Sequence, residues 1–254
     1  MHTGDTAAAL STVAPTLVAV AHGSRDPRSA ATVSALIERV RLLRPELDIR
    51  LAFLDLCAPR LDAVLATTRR AVVVPLLLGH AFHAKVDVPG AISQAARPGL
   101  DVAVAEVLGP DPRLEAAALR RLAEVGVAPG DAQVGVVLAA AGSSQPPAND
   151  AVAAVASRLA RHTGWQVIPA FASATAPTVP DALATLHAAG ARRAAVALWF
   201  LAPGLLPDKV TRLAQGAAPH ALLAAPLGAD DAVAALIAHR YDTATTRIRT
   251  PRSA

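Results

Sequence analysis

The sequence predicts an α/β protein made of two similar halves, each a small parallel sheet with flanking helices. Short apolar runs typical of buried strands alternate with longer segments in which apolar residues recur at helical spacing. The order of these segments then repeats in the second half of the chain. The 254 residues, 53% hydrophobic and 17% charged, are enough to form the cores of one large or two modest domains.

The first half shows strand-like and helix-like segments in strict alternation. The predicted strands are LVAVAH (17–22), IRLAFLDL (49–56), AVVVPLLL (71–78) and DVAVAEVL (101–108). The predicted helices cover RSAATVSALIERVRLL (28–43), PRLDAVLATTRR (59–70), PGAISQAAR (89–97) and RLEAAALRRLAEVG (113–126). Such a series indicates a parallel sheet with helices on both faces.

Three segments of the second half match the first half in the same order. VVLAAAGSSQPP (136–147) matches LVAVAHGSRDP, AFASATAPTVPDALATL (170–186) matches AFLDLCAPRLDAVLATT, and AGARRAAVALWFLAPGLLPDKV (189–210) matches TTRRAVVVPLLLGHAFHAKV. Glycine, proline and aspartate near 125–133 indicate a linker. We therefore expect domains at 15–127 and 132–243, tails at 1–14 and 244–254, and a cleft between the domains.

The candidate metal-binding and proton-accepting residues occur in the first copy only. His22 follows the first strand, Asp55 ends the second and His83 follows the third, so a parallel sheet brings all three to one edge. The second copy has Ala141 and Ser173 at the positions of His22 and Asp55. A lone histidine is more often a packing or capping residue. The loss of these groups from a repeated scaffold favours a functional role.

Two imidazoles and one carboxylate with open positions suit a divalent first-row metal such as Fe²⁺ or Co²⁺. Histidine also accepts protons near neutral pH. A zinc hydrolase site would have a similar ligand set, but the sequence has no H-E-x-x-H motif.

The motifs HGSRDP, FLDL and PLLLGHAFHAKVDVP, which lie at the carboxyl ends of the first, second and third predicted strands, resemble the CbiX/SirB group of class II chelatases. The resemblance covers residues 16–126, and the degenerate second half matches the two-domain form of the family. It implies two tandem chelatase-like domains that insert a metal into sirohydrochlorin without ATP. Iron is favoured over cobalt, because the two-domain form resembles members of the sirohaem pathway and no His-rich tract is present.

The same resemblance assigns roles to individual residues. His22 matches the metal-binding histidine and proton acceptor, and His83 matches the second histidine of H-x-x-x-D-[IV]-P. Asp55 stands where the family usually carries glutamate. Ser24 and Arg25 either donate to a substrate carboxylate or fix the turn. The segment that matches the tetrapyrrole-lining loop consists of Leu78, Gly79, His80, Ala81 and Phe82.

Several classes of protein are not expected. The lysines, Lys85 and Lys209, do not follow P-loop spacing, and the arginines are scattered rather than clustered, so neither an ATP site nor a nucleic-acid partner is predicted. No run approaches the ~20 apolar residues of a membrane span, and the first residues do not form a signal peptide, so we expect a cytoplasmic protein. The single cysteine, Cys57, excludes a disulfide framework, and we expect a packed thiol.

Three other functions would use residues of the same kinds. Histidine phosphatases also place A-H-G-S-like residues after a strand, but their chemistry needs an arginine before the histidine, where this chain has Ala21. A cobaltochelatase would use the same ligands as a ferrochelatase. A carrier of metal or tetrapyrrole would also use these ligands, without turnover.

Overall fold

The computed structural model describes residues 14–79 and 87–249, and its described part contains two four-stranded parallel sheets. The strands of the first sheet are β1 (Thr16–Ala21), β2 (Ile49–Phe53), β3 (Arg70–Pro75) and β4 (Asp101–Val104). Those of the second are β5 (Val134–Ala140), β6 (Gln166–Phe171), β7 (Arg193–Leu198) and β8 (Leu222–Leu223). The strand orders β2-β1-β3-β4 and β6-β5-β7-β8 are identical, which confirms the predicted duplicated α/β fold.

The helices occupy corresponding places in the two halves. Those of the first half are α1 (Pro27–Leu43), α2 (Leu61–Ala66), α3 (Val88–Gln94) and α4 (Pro112–Glu124). Those of the second half are α5 (Pro146–Thr163), α6 (Val179–Ala188), α7 (Leu205–Ala217) and α8 (Asp231–Arg249). Asp26 caps α1 by accepting from the Arg28 amide at 2.9 Å. None of the described helices combines the length and apolar character needed to cross a membrane.

Alternate residues of each strand enter different cores. Leu17 and Ala19 of β1 face a large core that includes residues of both sheets and of α1, α4, α5 and α8. Val18 and Val20 face a smaller core that is closed by α2 and α3. The second sheet has the same arrangement, with α6 and α7 over its outer face. The shared inner core joins the two halves.

The two halves exchange their last helices. Helix α4 packs on β7 of the second sheet, and α8 packs on α1, β3 and β4 of the first half. The Tyr241 hydroxyl in α8 donates to the Pro15 carbonyl beside β1 at 2.7 Å. The buried Asp230 carboxylate, just before α8, accepts from the Arg120 guanidinium in α4. Each sheet is therefore covered by a helix from the other half of the chain.

Some element boundaries differ from the predicted ones. Strand β2 ends at Phe53 rather than at residue 56, because the chain turns beside β1. Helix α8 continues to Arg249, whereas the sequence predicts a tail from residue 244. Tyr241 and Ala244 are buried, which explains why the helix extends along the first half.

Candidate active site

His22 directly follows β1, and its backbone is fixed to the turn that follows β2. The His22 carbonyl accepts a hydrogen bond from the Asp55 amide at 2.9 Å. The Asp55 carbonyl in turn accepts from the Cys57 amide at 2.7 Å. We refer to residues 22–25 as the histidine turn and to residues 54–57 as the aspartate turn. The two turns lie side by side at the carboxyl edge of the first sheet.

Gly23 allows this close approach. Its φ is +99°, and a Cβ at this position would lie 1.8 Å from the Asp55 carbonyl oxygen. Gly142 repeats the arrangement in the second half, with φ +85° and a distance of 2.0 Å to the Ser173 carbonyl oxygen. The glycine is therefore required by the fold of the turn in both copies.

Replacing Gly23 with alanine is expected to destabilise the protein by at least ~2 kcal/mol, since left-handed strain adds to the displacement of the aspartate turn. Gly126→Ala is the matched control, because Gly126 has φ +79° and open space around a Cβ. The control should cost about 1 kcal/mol. Denaturant unfolding measures both. Equal stability of the two variants would contradict a steric role for the Asp55 carbonyl.

The structure brings only part of the predicted site together. His22, Ser24, Leu78 and Gly79 line one cavity. The Asp55 side chain is 62% exposed and accepts from the Arg60 guanidinium at 3.2 Å, and it is not among the lining residues. Arg25 is exposed and also not among them. The predicted site residues His80, Ala81, Phe82 and His83 lie outside the described residues.

The cavity has a volume of about 730 Å³ and lies between the two halves, within the ~300–1,000 Å³ range of small-molecule sites. The first half contributes residues 22–24 of the histidine turn, the start of α1 and the segment after β3. The second half contributes the matching turn 141–145, the start of α5 and residues 199–207. Apart from the imidazole of His22, no acidic or basic side chain occurs among the described lining residues.

The second wall was predicted only in outline. The internal repeat indicates that a second domain faces the first, but it does not identify the lining side chains. These include Gln145, Asn149, Val152, Trp199 and Phe200. Val152 is spaced like a core residue of an amphipathic helix, so its sequence carries no signal of a cavity.

An ion-pair chain connects the two halves beside the cavity. The Arg28 guanidinium donates to Asp26 at the start of α1 and to Asp208 in the first turn of α7, at 2.5 Å in both cases. The hydrogen bond from Arg28 holds the pKa of the Asp26 carboxyl below its usual range. Asp26 therefore stays ionised near the histidine turn and shares the Arg28 guanidinium with Asp208.

The described residues do not by themselves form a metal site with three ligands. No group of three or more His, Cys, Asp or Glu side chains within residues 14–79 and 87–249 is arranged to hold a metal. His22 and Asp55 provide two of the three predicted ligands on hydrogen-bonded turns. The third, His83, lies in the segment that the structure does not describe.

The family model for CbiX matches residues 16–125 and again residues 135–244. The chain belongs to the CbiX family. The two matches coincide with the two sheets and their helices, so each half is a copy of the same family unit.

Proteins of named activity are similar along most of the chain. Sirohydrochlorin ferrochelatase from Bacillus subtilis is 28% identical over 79% of this chain and 79% of its own length. Sirohydrochlorin ferrochelatase from Priestia megaterium is 26% identical over 88% of each chain. The structure of SirB from Bacillus subtilis with Fe³⁺ superposes with a TM-score of 0.80 at 24% identity, covering 93% of this chain and 97% of that one. This last likeness supports the fold.

Proposed function

We propose that this protein inserts a divalent metal ion into sirohydrochlorin without ATP, and that the metal is Fe²⁺. The observation that carries the proposal is the apolar cavity between the halves, which presents the His22 imidazole at the strand ends. The two relatives that match along most of the chain, both named sirohydrochlorin ferrochelatase, support the same reaction and metal.

The walls of the cavity suit a flat, polycarboxylate macrocycle. Val33 of α1 and Val152 of α5 line it from opposite halves, and apolar side chains of this kind can contact the two faces of a ring. The absence of carboxylates among the described lining residues avoids repulsion of an anionic substrate. The net charge of +4 favours its approach. The substrate carboxylates are then placed at the mouth of the cavity, in water.

Insertion exchanges two pyrrole N–H protons for one metal ion. The macrocycle releases two protons as four nitrogen–metal bonds form, so a metal source and a base are both needed near the ring. His22 would bind the ion loosely through one imidazole nitrogen and take up one of the two protons as the ion transfers, and the second proton would pass to water. Loose binding is required, since an ion in a closed tetrahedral site could not leave.

His83 and Asp55 complete the proposed metal site. His83 is assigned by its motif, H-A-K-V-D-V-P, as the second imidazole ligand. The Asp55 carboxylate would join the metal through the oxygen that Arg60 does not contact, or after leaving Arg60, which costs little because exposed ion pairs contribute ~0–1 kcal/mol. Ser24 lines the cavity beside His22, and its hydroxyl would donate to a substrate carboxylate while it accepts from the Asp26 amide at 3.1 Å within the turn.

A phosphatase function is disfavoured by the same geometry. A phosphate-transferring histidine needs cationic groups around the phosphate. Ala21 precedes His22, and the described lining residues include no arginine or lysine. A carrier of metal or tetrapyrrole would use the same groups as a chelatase, and turnover with excess substrate separates the two.

The test is an anaerobic insertion assay with sirohydrochlorin and no nucleotide. It compares the rates with Fe²⁺ and with Co²⁺ at equal free metal. We expect multiple turnovers with Fe²⁺ and support of sirohaem synthesis in cells. A clearly higher rate with Co²⁺, together with failure to support sirohaem synthesis, would assign the cobalt reaction instead. Stoichiometric binding without turnover would indicate a carrier.

A further inference from the structure

The backbone of Ser24 is held by the side chain of Cys57. The Cys57 Sγ donates to the Ser24 carbonyl at 3.1 Å and accepts from the Ser24 amide at 3.5 Å. The Cys57 amide donates to the Asp55 carbonyl. One partly buried thiol therefore connects the aspartate turn to the histidine turn, two residues from His22.

In the second half, a different side chain holds the backbone of the matching serine. Ser143 matches Ser24, and its amide and carbonyl pair with the Asn149 side chain of α5 at 2.9 and 2.8 Å. Thr175 matches Cys57, but its hydroxyl donates to the Ala176 carbonyl. The Ser143 backbone is thus fixed to its own helix, while the amide and hydroxyl of Ser173 donate to the Ala141 carbonyl at 3.0 and 2.9 Å and link the two turns of the second half.

The two copies therefore differ at a reciprocal pair of positions. The first half has Cys57 and, where Asn149 would match, Ala30. Hydrogen bonds to sulfur are weak, and an amide makes stronger ones. If the only requirement were a hydrogen-bond partner for the Ser24 amide and carbonyl, an asparagine at position 30 would provide stronger hydrogen bonds than Cys57. The thiol provides something else, namely a side-chain link between the two turns at Ser24, in addition to the backbone hydrogen bond from the Asp55 amide to the His22 carbonyl.

We propose that Cys57 is a positioning residue that fixes the histidine turn relative to the aspartate turn for metal delivery. The proposal rests on the proposed chelatase function. The thiol acts on the ligands and not on the metal, since its sulfur contacts the Ser24 backbone. Groups that orient metal ligands typically change metal affinity by ~10–100-fold when removed.

The test is a spectroscopic titration with Co²⁺, with the insertion assay run in parallel. Cys57→Ala is expected to weaken Co²⁺ binding about 10-fold or more and to raise the KM for metal by a similar factor. The KM for sirohydrochlorin should stay unchanged, because the cavity walls remain. Cys57→Ser, whose hydroxyl can make the same two hydrogen bonds, should recover most of the affinity.

The decisive variant combines Cys57→Ala with Ala30→Asn. The new asparagine side chain can then pair with the Ser24 backbone, as Asn149 pairs with the Ser143 backbone in the second half. The double variant should restore the Tm lost in Cys57→Ala without restoring Co²⁺ affinity, because the turn is then tied to α1. Return of full affinity in this double variant, or unchanged affinity in Cys57→Ala, would overturn the proposal. A thiolate-to-cobalt charge-transfer band that Cys57→Ala abolishes would also overturn it, since the thiol would be a ligand.

If the protein is not a chelatase, the same experiments would give a different set of results. The wild-type protein would then bind Co²⁺ in a His22-dependent way and show no insertion into sirohydrochlorin, while the comparison of Cys57 variants would still report on positioning. Equal Co²⁺ binding by wild type and His22→Ala would overturn both proposals, because no metal site would exist at this turn.

Discussion

Replacing His22 with alanine is expected to lower the rate of metal insertion by about 100-fold or more, since one imidazole is proposed to hold the ion and to accept a proton. The fold should not change. The second half already carries Ala141 at the matching position, and the Ala141 carbonyl accepts from the Ser173 amide at 3.0 Å, as that of His22 does from Asp55. Stopped-flow absorbance of the macrocycle measures the rate, and circular dichroism checks the fold.

His162→Ala is the matched control for this variant. His162 lies in the last turn of α5, is exposed, and is not among the cavity residues. Its removal should leave the insertion rate at the wild-type value. An active His22→Ala variant would refute the assignment of His22, and the metal site would then have to be sought elsewhere.

Removing helix α8 by ending the chain at residue 230 is expected to unfold the first half as well as the second. Val233, Leu236, Ile237 and Tyr241 are buried against the large shared core. Four such side chains contribute about 6–12 kcal/mol of burial free energy at ~1.5–3 kcal/mol each, which is comparable to the ~5–15 kcal/mol stability of a typical domain. Thermal unfolding followed by circular dichroism measures the loss.

Two controls separate loss of the helix from loss of length. A chain ending at Arg249 keeps the whole of α8 and should unfold like the full-length protein. Within the helix, Ile237→Ala should cost ~2–5 kcal/mol because it leaves a cavity, while His239→Ala, at an exposed position, should cost ~0.5 kcal/mol or less. A cooperative, wild-type-like transition in the chain that ends at residue 230 would contradict the exchange of helices.

The strands and their order of appearance follow from local patterns. Strand β1 is a short apolar run buried on both faces, and β1, β2 and β3 were each predicted as strands from such runs alone. The position of His22 follows as well, because the apolar run must end before Gly23 and the charged turn. The internal repeat predicted the second sheet and the cavity between the halves, and both are confirmed.

The Asp55 side chain is positioned by an ion pair with Arg60, which the sequence pattern does not predict. Its strand and turn were predicted, but its carboxylate pairs with Arg60 at the start of α2 and does not line the cavity. The role of Cys57 is a second case. The sequence predicts a packed thiol, whereas the structure places its sulfur on the backbone of Ser24, which lies 33 residues earlier in the chain.

The sequence by itself determined the duplicated α/β fold, the family motifs and the edge of the sheet where the candidate ligands lie. Only the tertiary structure decided that α4 and α8 each pack on the sheet of the other half, and which side chains of the second half form the apolar wall of the cavity. The reason is physical. Periodicity records that a helix has an apolar face, but any sheet of matching shape can bury that face. The choice between the two sheets depends on packing between residues far apart in the chain.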